Sequence, residues 1–325
     1  MKRLSLLRFA LCLSSTLLAV NTGSAQPYPA KPIEIVVGSP PGGGSDYMAR
    51  LVGTFMSERM GQQVVVVNRP GAEGAIAAAS VARAAPDGYT VLFCNNPPIT
   101  MAPHLRALPY DAAKDLVPLF RLADVSTVLT TAASSQFSTM KDVLAWAQRN
   151  PGKVSYGTFG PASTWGVEFA QLKDATGLDL VQVSYKGAAP IVADTVSGQI
   201  TIGASGPHAV LPLIRSGKLK ALAVWSDSRL AVLPDTPTIR EATGRELTSF
   251  PTWFGMFLPA RTPPGIVKRL ESEVQAVMKD PEVAGKVAGT GANVAPEGAV
   301  AFAALLGAES SDFAARVEKY QIKEK

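Results

Sequence analysis

Three consecutive glycines, Gly42, Gly43 and Gly44, interrupt the stretch IEIVVGSPPGGGSDYMARL between an apolar run and an amphipathic one. Bare backbone at a strand-to-helix turn lets N–H groups and the positive end of a helix dipole approach an anion. Gly43, Gly44 and Ser45 are the groups such a helix start aims outward, with Ser39 on the loop before them. No Gly-Lys-Ser/Thr follows, so this is not a Walker loop, and the pattern G-x-G-x-x-G fails at its third glycine. Ser45 and Asp46 are also good helix caps, and capping is the plainer alternative. Capping by itself requires neither Pro40-Pro41 nor three glycines. A second turn repeats the device: KVSYGTF, holding Thr158 and Phe159, runs into Gly160, and Ser163, Thr164 and Trp165 open the next amphipathic run. Two helix starts at equivalent places would hold the two ends of a small carboxylate.

Catalytic constellations are sparse. The two histidines, His104 and His208, both stand beside prolines, and no H-E-x-x-H, C-x-x-C or G-x-S-x-G occurs. STMK (Ser138 to Lys141) matches S-x-x-K without its companion motifs, so Ser138 reads as the cap of the helix that follows. Ser205 and His208 are close enough in sequence to keep an exported serine hydrolase as an alternative, although no acid is placed to orient the histidine. No metal-ligand spacing or cofactor fingerprint is present, and neither a metal nor a cofactor is expected.

The elements that position these turns alternate strand and helix. Strands are expected at Ile33 to Gly38, Gln63 to Asn68 and Tyr89 to Cys94, with helices over Ser45 to Met60 and Ala75 to Ala85, before DLVPLFRLADV leads out. A second unit follows with strands at Val128 to Ala132, Lys153 to Phe159, Val181 to Tyr185, Ile200 to Ser205 and Ala221 to Trp225. One more strand, Thr252 to Ala260, precedes a helical tail from Ile266 and is expected to return to the first sheet. The fold class is therefore α/β, two-lobed, with a five-stranded mixed sheet flanked by helices in each lobe and two crossover segments. Residues 26–124 and 250–325 would build the first lobe and 125–249 the second. Ligands of such sheets bind at the carboxyl ends of strands, which here face each other across a cleft.

Residues 1–25 differ in character. Lys2, Arg3 and Arg8 precede the apolar run Phe9 to Val20, and Gly23-Ser24-Ala25 supplies small residues, which together read as a secretory signal cleaved after Ala25. Removing those three basic residues lowers the formal net charge from +5 to +2, so the basic balance does not argue for nucleic acid. Cys12 leaves as well, and Cys94 then has no internal disulfide partner. No later segment is apolar enough to cross a bilayer, which points to an exported protein without stable membrane insertion.

The chain beyond the signal resembles the Bug-type substrate-binding receptors of tripartite tricarboxylate transporters. The resemblance rests on YPAKPIEIVV, PPGGGSDYMAR, VVVVNRPGAEG, AAPDGYT, LPYDAAKDL, NPGKVSYGT, VSYKGAAP, SGKLKALAV, LPDTPTIREA and WFGMFLPARTP, in that order. It implies a type II periplasmic-binding-protein fold that closes around a small organic acid and delivers it to membrane permease subunits, as a monomer. It also implies carboxylate contacts at Gly43, Gly44, Ser45 and Asp46, and at Thr158, Ser163 and Thr164. Gly38-Ser39 replaces the family's usual Pro-Phe, and Ala204-Ser205-Gly206 replaces Phe-Asp-Asn. Phe159, Trp165 and Gly166 stand where small residues and a histidine are usual. Ser39, Asn95 and Ser205 complete the expected contacts. A lost acid and gained rings argue against citrate or an amino acid. With Tyr47 they point instead to an aromatic acid such as benzoate or phthalate, unless the rings fill core space. A receptor that signals to a membrane sensor kinase uses the same closed lobes and is the other alternative.

Overall fold

The computed structural model describes residues 28–161 and 163–323. The expected signal, its cleavage point after Ala25 and Cys12 lie outside them. Tyr28 to Ala30 form a short irregular segment, and the body of the protein runs from Lys31. Its first part contains β1 (Ile33–Val37), α1 (Gly44–Met60), β2 (Val64–Asn68), α2 (Ala75–Ala82), β3 (Thr90–Cys94), α3 (Ala112–Asp115) and β4 (Leu116–Val125). The middle contains β5 (Thr127–Ala132), α4 (Met140–Arg149), β6 (Val154–Thr158), α5 (Thr164–Thr176) and β7 (Leu180–Ser184). It continues through α6 (Ala188–Val196), β8 (Ile202–Ser205), α7 (Pro207–Arg215), β9 (Leu219–Trp225) and α8 (Ile239–Thr243). Last come β10 (Thr252–Pro259), α9 (Pro264–Lys279), α10 (Pro281–Gly289), β11 (Asn293–Gly298) and α11 (Ala299–Lys319).

Two mixed sheets flanked by helices result. One has the order β11-β4-β10-β3-β1-β2 and the other β7-β6-β8-β5-β9. In the first, β1 pairs in parallel with β2 and β3, while β10 runs antiparallel to β3 and β4. In the second, β6 pairs in parallel with β7 and β8, and β5 runs antiparallel to β8 and β9. The expected return of the strand after residue 250 to the first sheet is thus observed. The first sheet has six strands, which corrects the expected five. The extra one, β11, is NVAPEG, a largely polar, half-exposed edge strand that pairs with β4 alone. Its apolar signal is weak because one flank faces solvent, and Pro296 is tolerated there because an edge strand leaves some N–H groups unpaired.

The chain changes sheets between β4 and β5, where Ser126 alone separates the strands, and again between β9 and β10. Side chains reinforce these crossings. Val167 of α5 packs with Met101, Phe250 and Phe313 in one buried cluster. Lys319 of α11 pairs with Asp174 of α5 at 3.2 Å. The helices are formed as their spacing suggests: α1 buries Met48, Val52, Met56 and Met60 on one stripe and stops at Gly61, whose φ of 64° few other residues adopt. The α4 cap is Thr139, in a reciprocal capping box with Asp142, rather than Ser138 one residue earlier.

Glu309 on α11 is half-buried, with its carboxyl turned in toward the buried Asn96, Thr100 and Trp253. It accepts hydrogen bonds from Asn96 Nδ2 at 2.8 Å, Trp253 Nε1 at 2.9 Å and the Thr100 hydroxyl. Burial raises its pKa from 4.5 to about 7, more than these donors lower it. The folded protein therefore holds a proton there that the unfolded chain has lost, and stability falls as pH rises between about 4.5 and 7. Glu309→Gln should remove that slope. Urea unfolding at pH 5, 6 and 7 should give a native-minus-variant difference that declines steadily, and a constant difference would refute the assignment.

Candidate functional site

The loop leaving β1 is held from outside the cavity that it borders. Asp46 accepts from Gly42 N–H at 2.9 Å, Arg50 Nε at 3.1 Å and Asn68 Nδ2 at 2.9 Å, and Asn68 also donates to the Ser39 carbonyl at 3.0 Å. Its carboxyl is shielded by its own loop and by Arg50 rather than by depth in the core. Burial acts to raise its pKa, yet the bonds from Arg50, Gly42 and Asn68 outweigh it, and the net shift is downward. Asp46 thus ties down the turn and neither caps the first helical N–H groups nor faces the cavity. The cap position belongs to Gly43, which offers no side-chain bond. Among the described residues, the Gly44 and Ser45 N–H groups donate to no other part of the chain, as expected at an uncapped helix start.

The three glycines answer to three different constraints. Gly42 has φ +81°, a left-handed conformation that favours glycine. At Gly44 a Cβ would lie 3.3 Å from Phe254 Cζ of the same lobe and 3.4 Å from His208 Cε1 of the other, so a side chain would be tight where the two lobes meet. Gly43 has an ordinary φ of −78°. A Cβ there would meet nothing closer than the Pro40 carbonyl at 3.4 Å, with Ser39 Oγ at 3.7 Å. Neither backbone strain nor packing requires glycine at 43. Beside it, the buried Ser39 Oγ has no hydrogen-bond partner.

In the second lobe the turn after β6 is largely self-satisfied. The Thr158 hydroxyl accepts from Gly160 N–H at 3.0 Å and Gln182 Nε2 at 2.9 Å. Ser163 caps α5, accepting from Gly166 N–H at 3.1 Å and donating to the Gly160 carbonyl at 2.7 Å. Thr164 donates to Met101 Sδ of the first lobe at 3.8 Å. Trp165 is 8% exposed within the second lobe's core, and the partly exposed Phe159 lies over it with ring centroids 4.2 Å apart. Asn95 follows β3, half-buried and without a partner among the described residues.

The start of α7, rather than that of α5, meets the glycine turn. Gly42, Gly43, Gly44, Tyr47, Met48, Val125, His208, Leu211 and Phe254 line a cavity of about 520 Å³ between the lobes. Ser205, just before α7, is 1% exposed and its hydroxyl has no partner. The walls crowding His208 lower its pKa below the ordinary 6.5, so the imidazole is neutral at pH 7. No hydrogen bond joins Ser205 to His208 among the described residues, and no carboxylate orients the ring, so the parts of an activated serine are not assembled. The wall formed by Met48, Phe254 and His208 escaped sequence reasoning. One signal was available: Gly206-Pro207 is a helix-start pair that places His208 in a first turn.

The pattern of the tripartite tricarboxylate transporter family receptor matches residues 48–319. The chain belongs to this family of receptors. The BugT protein of Bordetella pertussis is 34% identical over 273 residues, covering 83% of each chain. A solved structure described as a periplasmic transporter shares 35% identity and a TM-score of 0.84, covering 91% of this chain and 99% of its own. A protein of R. palustris solved with adipate shares 29% identity and a TM-score of 0.85 over 91% of this chain and 99% of its own. The family is one of solute receptors rather than enzymes, and it accounts for the two-lobed architecture.

Asp46→Asn in this receptor should cost about 1 to 2 kcal/mol at pH 7, the range of hydrogen bonds to a charged group less what the amide retains. The native carboxylate's contribution is present above the unfolded value of 3.8 and is lost as pH falls through its lower folded value. Urea midpoints of native and variant should therefore converge in acid, and a gap that persists unchanged below pH 3 would show that charge is not the cause.

Proposed function

We propose that this receptor, exported after cleavage behind Ala25, captures a small organic carboxylate between its lobes and presents it to the permease subunits of a tripartite transporter. In this reading residues 26–124 with 250–325 move against 125–249 as two lobes of a monomer. The observation that carries it is Gly43: glycine stands where neither φ nor packing requires it, at a helix start whose Gly44 and Ser45 N–H groups are unspent. A side chain there would occupy the approach of an anion to those N–H groups and to Ser39 Oγ. Ser205 Oγ supplies an unspent hydroxyl on the second lobe. The R. palustris relative solved with adipate supports a carboxylate as ligand.

The apolar walls of Met48, Leu211 and Phe254, with the half-exposed Tyr47, favour an acid with an apolar body over a short hydroxy acid. Aromatic acids such as benzoate and phthalate belong to that class, with Phe254 and Tyr47 offering the rings. A thermal-shift screen should find adipate, benzoate or phthalate stabilising, by roughly 2.7 kcal/mol at a hundredfold excess over Kd. Gly43→Ala should lower ligand-free stability only by the loss of a glycine N-cap, about 1 kcal/mol, and weaken binding about tenfold or more, a loss of at least 1.4 kcal/mol. Unchanged affinity in that variant would sink the carboxylate assignment at this turn, and preference for malate or citrate would overturn the apolar-body class.

A further inference from the structure

The cavity that begins at Gly43 and Gly44 does not end at His208. It continues along α7 past Leu211 and Pro212 to Arg215, and on the opposite wall it reaches Lys286, Gly289 and Thr290 at the end of α10. Arg215 comes from the second lobe and Lys286 from the first, so two cations on separate lobes border one space. Arg215 makes no hydrogen bond or ion pair among the described residues, although its place at the end of α7 suits the helix dipole. Lys286 pairs with Glu282 at 2.7 Å, with both side chains about half exposed (46% and 62%). A solvated pair of this kind contributes little and is easily exchanged for another anion.

We propose that Arg215 and Lys286 form a distal anion subsite, which takes the second acidic group of a ligand whose first carboxylate sits at the α1 N-terminus. This rests on the carboxylate reading of the glycine turn given above. The wall between the two ends is apolar, built from Met48, Leu211, Pro212 and Phe254. The cavity therefore presents donors, an apolar stretch and then cations, the complement of a diacid with an alkyl or aryl spacer. Arg215 lies two helical turns beyond His208, the residue that touches Gly44, which is about 10 Å along the α7 axis. Closing the lobes brings two like charges toward one another, which is unfavourable unless an anion lies between them. The distal group thus selects diacids and also favours the closed form.

Calorimetry with adipate and hexanoate, a diacid and a monoacid of equal carbon count, separates the subsite from the primary one. Native protein should bind adipate about tenfold or more tighter than hexanoate, the scale of one charged hydrogen bond. Arg215→Gln and Lys286→Gln should each shrink that ratio, and the double variant should bring it to within about twofold. Hexanoate should bind each variant at least as tightly as the native protein, since the like-charge repulsion is removed, and this also reports intact folding. An unchanged ratio in the double variant, or equal affinity for the two acids in the native protein, overturns the subsite. If both acids bind and Gly43→Ala weakens both, the primary carboxylate reading survives that result. If neither acid binds, the subsite falls while the primary reading rests on the aromatic acids, and if Gly43→Ala affects neither acid, the primary reading falls and the subsite with it.

Discussion

A buried carboxylate that turns its back on the cavity holds the cavity's first wall in place. Asp46 draws Gly42 N–H, Arg50 and Asn68 together on the outer side of the β1–α1 loop. With the loop tied from that side, the first N–H groups of α1 need no cap from the chain. An uncapped helix start is an unfavourable thing to leave in a protein, since each unspent donor near an apolar wall costs free energy. Water or an incoming acceptor satisfies such donors. The acid thus positions the donors that an anion would use, without offering that anion a like charge.

The second constraint is that both lobes reach the same place. At Gly44, Phe254 of the same lobe and His208 of the other both come within contact distance of where a Cβ would stand. Elsewhere Thr164 meets Met101, and Lys319 meets Asp174. The backbone link between β4 and β5 is one residue long, so the sheets cannot separate freely on that side. The two strand crossings are the backbone links about which the lobe motion proposed above would rotate.

Apart from Tyr47, the apolar walls of the cavity come from residues other than the rings that stand out in the sequence. Trp165 follows a turn glycine by five positions and has the composition of a binding aromatic. Its indole is drawn inward because α5 must bury one face against β6, where Tyr156 and Phe169 already stack with centroids 4.0 Å apart. Phe159 is left on the surface as its cover. Phe254 reaches the cavity instead because β10 crosses back into the first sheet beside β3, stacking on Phe93 at 6.3 Å.

Periodicity and turn chemistry in the sequence were enough to define the alternation of strands and helices, the return of β10 and the helix start that follows the glycine turn. Each of these is local: continuous Val/Ile runs, Gly and Pro stops, a helix start. Strand β11 was not legible, because an edge strand with a proline and one solvent-facing flank carries little apolar signal. Nor was the pairing of helix starts. The two glycine–hydroxyl turns look equivalent along the chain, yet the hydroxyls of Thr158 and Ser163 bond within their own turn, and α7 faces Gly44 instead. Which N-terminus meets which depends on sheet order and on the angle at which one lobe packs against the other. Those are set by long-range burial summed over two cores, and no stretch of a few residues contains them.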